Sequence, residues 1–135
     1  MYKRQGILSS FIFTGGVPYE EIPLYINMAN ICVVPKKDLG FGYSPLKLYE
    51  YMSCGKPVIA TDTAGFEILE KYNAGVLVNT QDPQEFADAI IKLLKDKQLM
   101  KEMGMNGRNL VVNNYTWEIA SKKTSEVFQK LLREE

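Results

Sequence analysis

Apolar residues fall along this chain in two patterns, short continuous runs and longer stretches with helical spacing. The continuous runs have the length of buried strands, and no polar alternation interrupts them. Strands of that kind are typical of a parallel sheet that is covered on both faces. Their alternation with helical stretches predicts an α/β fold with a mostly parallel sheet flanked by helices. The strand candidates are residues 7–14, 31–34, 57–60 and 75–78.

Glycine residues predict where two of the elements end. A first strand over residues 7–14, most apolar at 11–13, is expected to stop at Gly15. A short helix that begins at Lys97 is expected to stop at Gly104, because glycine lowers helix stability and favours the position just after a helix. Residues after this glycine are expected to form one more helix or an irregular turn.

Two helix starts are marked by residues that cap helices. Asp82 is expected to be an N-cap, with Pro83 in the first helical position and Glu85 completing a pair that resembles a capping box. Thr116 is expected to cap a terminal helix over residues 116–133. The core stripe predicted for the first of these helices is Phe86, Ile90, Leu93 and Leu94.

The most informative stretch, residues 40–61, reads as loop, helix, turn and strand. Gly42 lies in a loop that can adopt positive φ. Ser44 is expected to be the N-cap of the helix and Pro45 its first residue, because the missing N–H of proline is not needed there. Gly55 is expected to end the helix in the left-handed conformation.

The start of this helix is a candidate anion site. The amides of Ser44, Leu46 and Lys47 are expected to point out of the first turn, where the helix dipole favours negative charge. Lys47 adds a positive charge, and Glu50 lies on the same face at i+3. A carboxylate in that place can accept hydrogen bonds from ribose hydroxyls. The alternative is a capped helix with a solvated surface pair.

The motifs of this stretch resemble the donor-site signature of glycosyltransferase family 4, which has the GT-B fold. Residues 44–52 read Ser-Pro-x-Lys-Leu-x-Glu-Tyr-Met, and residues 54–60 read Cys-Gly-Lys-Pro-Val-Ile-Ala, as in one branch of the family. Many members carry a Glu-x7-Glu motif; here the second glutamate is Glu50, whereas the first falls on Gly42. The resemblance runs from about Phe11 to Trp117 and implies an incomplete Rossmann-like domain, the C-terminal half of a GT-B enzyme.

The resemblance also implies what the chain does. The enzyme would transfer a sugar from a UDP- or GDP-sugar to a glycan or lipid acceptor, with the diphosphate on residues 44–47 and the ribose on Glu50, and without a metal. Neither a catalytic residue nor the stereochemical outcome is assigned. Donor-binding residues implied in this way are Gly42, Tyr43, Ser44, Pro45, Leu46, Lys47 and Glu50.

The same resemblance implies a domain arrangement. Residues 1–135 would be a partial C-terminal donor-binding domain, and residues 1–6 differ from the family and read as a non-native or disordered start. The acceptor would be held by an N-terminal domain absent from this sequence, so that the segment alone is not expected to turn over. The expected location is the cytoplasm, at the inner face of the membrane in the case of the full-length enzyme.

Composition narrows the function classes. Sixteen basic and sixteen acidic residues give no net charge, so no nucleic-acid partner is expected. The absence of histidine removes histidine-based acid–base catalysis and most transition-metal sites. Cys32 lies in an apolar run and reads as a small buried hydrophobe, and the spacing of Cys32 and Cys54 fits a reducing compartment. No apolar run approaches the length of a transmembrane helix.

Two other classes of function remain open. One is a module that binds a nucleotide or nucleotide-sugar, or a relative of the sugar-nucleotide epimerases. The other is a non-catalytic α/β interaction domain that uses the terminal helix as its contact surface. The apolar stripe of that helix, which includes Trp117 and Phe128, is expected to pack on its own domain or to cause self-association.

Overall fold

A computed structural model describes residues 6–37, 44–79 and 82–133 of the 135-residue chain. Helices and strands alternate through most of this length, and short 3-10 turns lie at Leu8–Ser10 and Tyr19–Glu21. The elements are α1 (Ile22–Met28), β1 (Cys32–Val34), α2 (Leu46–Ser53), β2 (Val58–Thr61), α3 (Ile68–Lys71), β3 (Gly75–Val78), α4 (Pro83–Lys95), α5 (Lys97–Asn114) and α6 (Trp117–Leu131).

The three strands form a parallel sheet in the order β1-β2-β3. Val58 of the central strand is opposite Cys32 on one side and Gly75 on the other. All four residues of β2 are buried, as expected of a parallel strand between two layers of helices. The predicted α/β fold, with a Rossmann-like parallel sheet flanked by helices, is confirmed. At β1 the cover is incomplete, since Val33 is exposed.

The predicted first strand over residues 7–14 is wrong. The segment contains a 3-10 turn and then an irregular stretch in which the side chain of Ile12 is 92% exposed. The rings of Phe11 and Phe13 stack on each other with centroids 5.9 Å apart. A strand needs a neighbouring strand to satisfy its backbone hydrogen bonds, and no described strand pairs with this segment. Apolar composition alone could not reveal the lack of a pairing strand.

The core lies on both faces of the sheet. Because side chains alternate along a strand, Val58 and Ala60 pack on one face with α2, whereas Ile59 packs on the other with Leu93 of α4 and Met103 of α5. The predicted α4 stripe is confirmed at Phe86, Ile90 and Leu93 and is wrong at Leu94, which is 46% exposed. Helical spacing gives the stripe a width but does not fix its edge.

The predicted helix end at Gly104 is also wrong. A single helix, α5, continues through Gly104 and Gly107 to Asn114. A Cβ atom on Gly104 would lie 2.1 Å from the carbonyl oxygen of Gly55, and one on Gly107 would lie 2.9 Å from Cγ of Met52. These glycines therefore let α5 approach the end of α2 closely, which is a packing reason rather than a stop signal.

The two predicted caps are confirmed. The Asp82 carboxylate accepts from the amides of Gln84 at 2.8 Å and Glu85 at 3.4 Å, and the Thr116 hydroxyl accepts from the Ile119 amide at 3.3 Å. Glu85 does not complete a capping box as expected: its carboxylate accepts from the Asn79 amide at 3.0 Å. The side chain thus reaches past the cap to the end of β3.

The terminal helix α6 contributes nothing to the core, since none of its residues is buried. Trp117 is 78% exposed and Phe128 is 62% exposed. The sequence predicts that the apolar stripe either packs on its own domain or causes self-association. In the structure the helix does not pack fully on its own domain.

Candidate functional site

The helix α2 carries most of the predicted donor site, and its inner face fixes its position. Leu48 and Met52, one turn apart, are completely buried in the cluster that covers one face of the sheet. Leu46, Lys47 and Glu50 lie on other faces of the helix; the first two are exposed and Glu50 is partly buried. The side chains available to a ligand therefore project from a firmly packed helix.

At the C-terminal end of α2, the last carbonyl groups are paired with donors from the protein itself. Gly55 adopts φ +69°, its amide donates to the Met52 carbonyl at 2.8 Å, and the Lys56 amide donates to the Tyr51 carbonyl at 3.2 Å. This pair of bonds is a Schellman motif, as the sequence predicts from Gly55. The guanidinium of Arg108, which lies 55 residues further along the chain, donates to the Ser53 carbonyl.

The N-terminal end of α2 differs from the prediction. Pro45, not Ser44, is the N-cap residue, and its carbonyl accepts from the Tyr49 amide at 3.1 Å. With φ −82° and ψ 21°, Pro45 lies outside the helical region, so the helix begins one residue later than predicted. No described side chain caps the first turn. The helix dipole and first-turn amides are therefore present without a side-chain acceptor in the described part of the chain.

The predicted donor-binding residues fall into two groups. Gly42 and Tyr43 lie outside the described residues. The others, Ser44, Pro45, Leu46, Lys47 and Glu50, lie along the first turns of α2 or just before it. Their roles in binding stay predictions.

Glu50 lies at the rim of a groove that the sequence did not predict. The groove has a volume of about 540 Å³ and runs between α2, the end of α5 and the start of α6. Tyr49 and Tyr115 stack there, with ring centroids 4.6 Å apart. Burial, and then the nearby Tyr115, raise the pKa of Tyr49, so its hydroxyl is protonated at neutral pH. No local pattern could have linked Tyr115 to α2.

A hydrogen bond joins the carboxyl ends of two neighbouring strands. The amide of Lys36, just after β1, donates to the hydroxyl of Thr61 at the end of β2 at 3.0 Å. This edge of an open parallel sheet is where ligands bind in α/β folds. Two residues further on, the hydroxyl of Thr63 is buried without a partner among the described residues. No local pattern in the sequence predicts the hydrogen bond of Thr61 or the burial of Thr63.

Glu67 has a local partner. Its carboxylate accepts from the Gly65 amide at 3.0 Å and it is the N-cap residue of α3. The bond lies before the helix, and no described side chain caps the first turn of α3.

Two kinds of site were not found in the described part of the chain. No three carboxylate or cysteine side chains come together in a way that could hold a metal ion. Among residues 6–37, 44–79 and 82–133, no helix combines the length and the apolar character that crossing a membrane requires.

Solved structures share this fold. Sucrose-phosphate synthase from Thermosynechococcus elongatus aligns with 99% of the chain at a TM-score of 0.88 and 30% identity, over 33% of its own chain. The Anabaena protein HepE, solved in complex with UDP, aligns with 96% of the chain at a TM-score of 0.84 and 20% identity, over 35% of its own length. The second likeness shows the fold alone.

Sequence comparison gives the family. A GDP-mannose-dependent alpha-(1-6)-phosphatidylinositol monomannoside mannosyltransferase of Mycolicibacterium smegmatis is 28% identical over 90% of the chain and 33% of its own length. The chain spans about a third of the length of the curated relatives it matches. The model of the family described as glycosyl transferases group 1 matches residues 2–96. With this match, together with the parallel sheet and its GT-B neighbours, the chain belongs to the group 1 glycosyltransferases.

Proposed function

We propose that this chain binds the nucleotide-sugar donor of a glycosyl transfer reaction, with the donor diphosphate at the start of α2. UDP- and GDP-sugars are the expected donors. HepE was solved with UDP, and the mycobacterial relative is named for GDP-mannose. Both names concern a nucleoside diphosphate, which is the group that an exposed helix start can bind.

The observation that carries this proposal is the contrast between helix starts. Side chains cap the helices α4, α5 and α6, at Asp82, Asp96 and Thr116. No described side chain caps α1, α2 or α3. Of these three, α2 and α3 follow strands and so begin at the carboxyl edge of the sheet, and α2 is the longer, with eight residues against four, and carries Lys47 in its first turn. An anion at this edge would accept hydrogen bonds from the first-turn amides and would be attracted by the charge of Lys47.

Glu50 has the second role in the proposal. It lies one turn beyond Lys47 and is partly buried at the rim of the 540 Å³ groove. Its carboxylate can accept two hydrogen bonds from a ribose, since vicinal hydroxyls present two donors. The sugar contact stays unassigned, because Gly42 has no side chain that could make it.

The chemistry in this proposal is electrostatic. Departure of the sugar leaves an additional negative charge on the diphosphate. In this proposal the α2 dipole and the Lys47 ammonium would stabilise that charge, and no metal ion is required. In the longer relatives we assign acceptor binding to regions with which this chain does not align. The segment alone is expected to bind the donor without turning it over.

Calorimetry tests the diphosphate site. UDP or GDP is expected to bind more tightly than uridine or guanosine, and Lys47→Ala is expected to weaken that binding by roughly 1–3 kcal/mol, the scale of a charge-assisted hydrogen bond. Lys101→Ala removes an exposed lysine from α5 and serves as the control. Equal affinity for nucleoside and diphosphate would show the proposal to be wrong.

A second experiment tests Glu50. Glu50→Gln keeps the size of the side chain and removes its charge, so nucleotide affinity is expected to fall while the melting temperature is retained. Glu126→Gln, on the exposed α6, is the matched control. A lower melting temperature with unchanged affinity per folded molecule would assign Glu50 a structural role.

The exposed face of α6 supports a further part of the proposal, self-association. None of its residues is buried, and burying a large apolar side chain stabilises a contact by about 1.5–3 kcal/mol. Sedimentation is expected to show concentration-dependent association that Phe128→Glu reduces. A monomer at all concentrations, with Trp117 fluorescence insensitive to quencher, would contradict it.

The cytoplasm is the location we propose. The two cysteines, Cys32 and Cys54, are both free thiols in the structure, as a reducing compartment favours. Fractionation of cells that express the full-length protein would test the location, and recovery outside the cytoplasm and its membrane surface would contradict it.

A further inference from the structure

Two threonines at the carboxyl edge of the sheet differ in one respect. Thr61 and Thr63 are both buried, with 3% and 6% of their surface exposed. The Thr61 hydroxyl accepts a hydrogen bond from the Lys36 amide at 3.0 Å. The Thr63 hydroxyl is buried and has no hydrogen-bond partner among the residues that the structure describes. The pair therefore provides an internal comparison of a satisfied and an unsatisfied hydroxyl.

The location of Thr63 is that of a ligand loop. It follows β2 in the segment that leads to α3, and the residue between the two threonines, Asp62, is exposed. Both threonines are thus buried at the point where the chain leaves β2. Thr61 faces the exit of β1, and the chain that leaves β1 leads to the start of α2. Thr63 thus follows β2 at the carboxyl edge of the sheet, the edge at which α2 also begins.

A buried hydroxyl without a partner destabilises the protein that contains it, and such groups are rare in native structures. Each such group needs an explanation, for example a functional role or a bound water or ion. A hydroxyl can donate to a phosphoryl oxygen, and a hydrogen bond to an ionised acceptor is among the stronger ones. An anion bound at the carboxyl edge of the sheet is a group of this kind.

We propose that the Thr63 hydroxyl donates a hydrogen bond to a phosphoryl oxygen of the donor diphosphate, and this inference rests on the function proposed above. It adds a binding residue from the loop after β2 to a site otherwise built from α2. In the proposed binding step the hydroxyl changes from buried and unpaired to paired with the diphosphate.

The test compares three variants of the whole chain. Thr63→Val replaces the hydroxyl by a methyl group of similar size, Thr63→Ser retains the hydroxyl, and Thr61→Val removes a hydroxyl that already has a partner. Each variant is titrated with UDP and with GDP by calorimetry, and its melting temperature is measured without ligand.

The two valine variants are expected to differ in stability. Thr63→Val removes an unpaired buried hydroxyl, so the empty variant is expected to melt a few degrees higher than wild type. Thr61→Val leaves the Lys36 amide without its acceptor and is expected to melt lower. If Thr63→Val melts as low as Thr61→Val, the Thr63 hydroxyl has a partner of its own in the empty protein, a water or another part of the chain, and the proposal is overturned.

The binding results separate this inference from the function on which it rests. Thr63→Val is expected to weaken UDP or GDP binding about tenfold or more, while Thr63→Ser stays close to wild type. If wild type binds a diphosphate and Thr63→Val binds it equally well, the inference fails and the proposed function stands. If wild type binds neither diphosphate, the proposed function fails and the inference fails with it.

Discussion

The two ends of α2 differ in whether protein groups pair with their backbone. At the C-terminal end a Schellman motif and the Arg108 guanidinium pair with the last carbonyl groups, and Gly104 packs closely against Gly55. At the N-terminal end the helix begins after a proline, and no described side chain caps it. We call the C-terminal end, which protein contacts fix, the closed end of α2. The N-terminal end, whose first-turn amides lie at the carboxyl edge of the sheet, is the open end.

The difference shows how a short helix can be held in place by one end while the amides at its other end stay available to a ligand. The eight residues of α2 would be marginal as an isolated helix in water. Buried Leu48 and Met52, and the contacts at the closed end, supply the stability that the open end lacks. Changes at the closed end should therefore affect stability, whereas changes at the open end should affect binding.

Gly104→Ala is expected to have the largest effect. Its Cβ atom would lie 2.1 Å from the Gly55 carbonyl oxygen, so either α5 or the turn after α2 has to move. Overpacking of this kind is expected to lower the free energy of unfolding by about 3 kcal/mol or more. Urea denaturation measures the change. Gly16→Ala is the control, since a Cβ atom there meets nothing within 4 Å, and equal stability of the two variants would contradict the contact.

The thiol of Cys32 reports on the same closed end through pH. Burial, opposed by Lys56, raises the pKa of Cys32 from 9.0 to about 11. The unfolded chain therefore releases this proton at lower pH than the folded chain, so the stabilisation is complete below pH 9 and is lost as the pH rises to about 11. The expected loss is no more than about 2–3 kcal/mol.

Comparison with Cys32→Ala isolates this effect from other groups that titrate at alkaline pH. The unfolding free energy of the variant is expected to fall less steeply than that of wild type over this range. Parallel pH profiles for the two proteins would show that the thiol is accessible and that the closed end is loosely packed.

Arg108→Met is expected to have an intermediate effect. The substitution keeps much of the apolar stem but removes the guanidinium that donates to the Ser53 carbonyl. The free energy of unfolding is expected to fall by about 1 kcal/mol, the net contribution of one hydrogen bond. Diphosphate affinity per folded molecule should be unchanged, and a loss of affinity without a loss of stability would reverse the assignment of the two ends.

Lys47→Ala is expected to change stability least. Lys47 is exposed in the first turn of α2, where surface substitutions alter the free energy of unfolding by no more than about 0.5 kcal/mol. Thermal unfolding without ligand measures this quantity. A fall as large as that of Arg108→Met would mean that the open end is also held by protein contacts.

Sequence patterns predicted the features that depend on near neighbours. Gly55, Asp82 and Thr116 act within one turn of their own helix, and all three have the predicted geometry. The joint location of Lys47 and Glu50 also follows from spacing on one helix.

The features that depend on distant partners could not be predicted in the same way. The sequence pattern predicts a helix end at Gly104, because it does not show that Gly104 packs against Gly55. Residues 7–14 read as a strand, yet no described strand pairs with them. In the candidate site, Tyr115 and the bond between Thr61 and Lys36 join segments that no local pattern connects.

The glycines that let α5 approach α2 also have a consequence for the order of folding. Each glycine inside a helix is about 1 kcal/mol less favourable than alanine, so α5 carries two penalties near its middle. Its helical structure therefore depends on docking against Gly55 and Met52. The amide protons of α2 and α5 should exchange with solvent in one cooperative event, as a single foldon that joins segments distant in sequence.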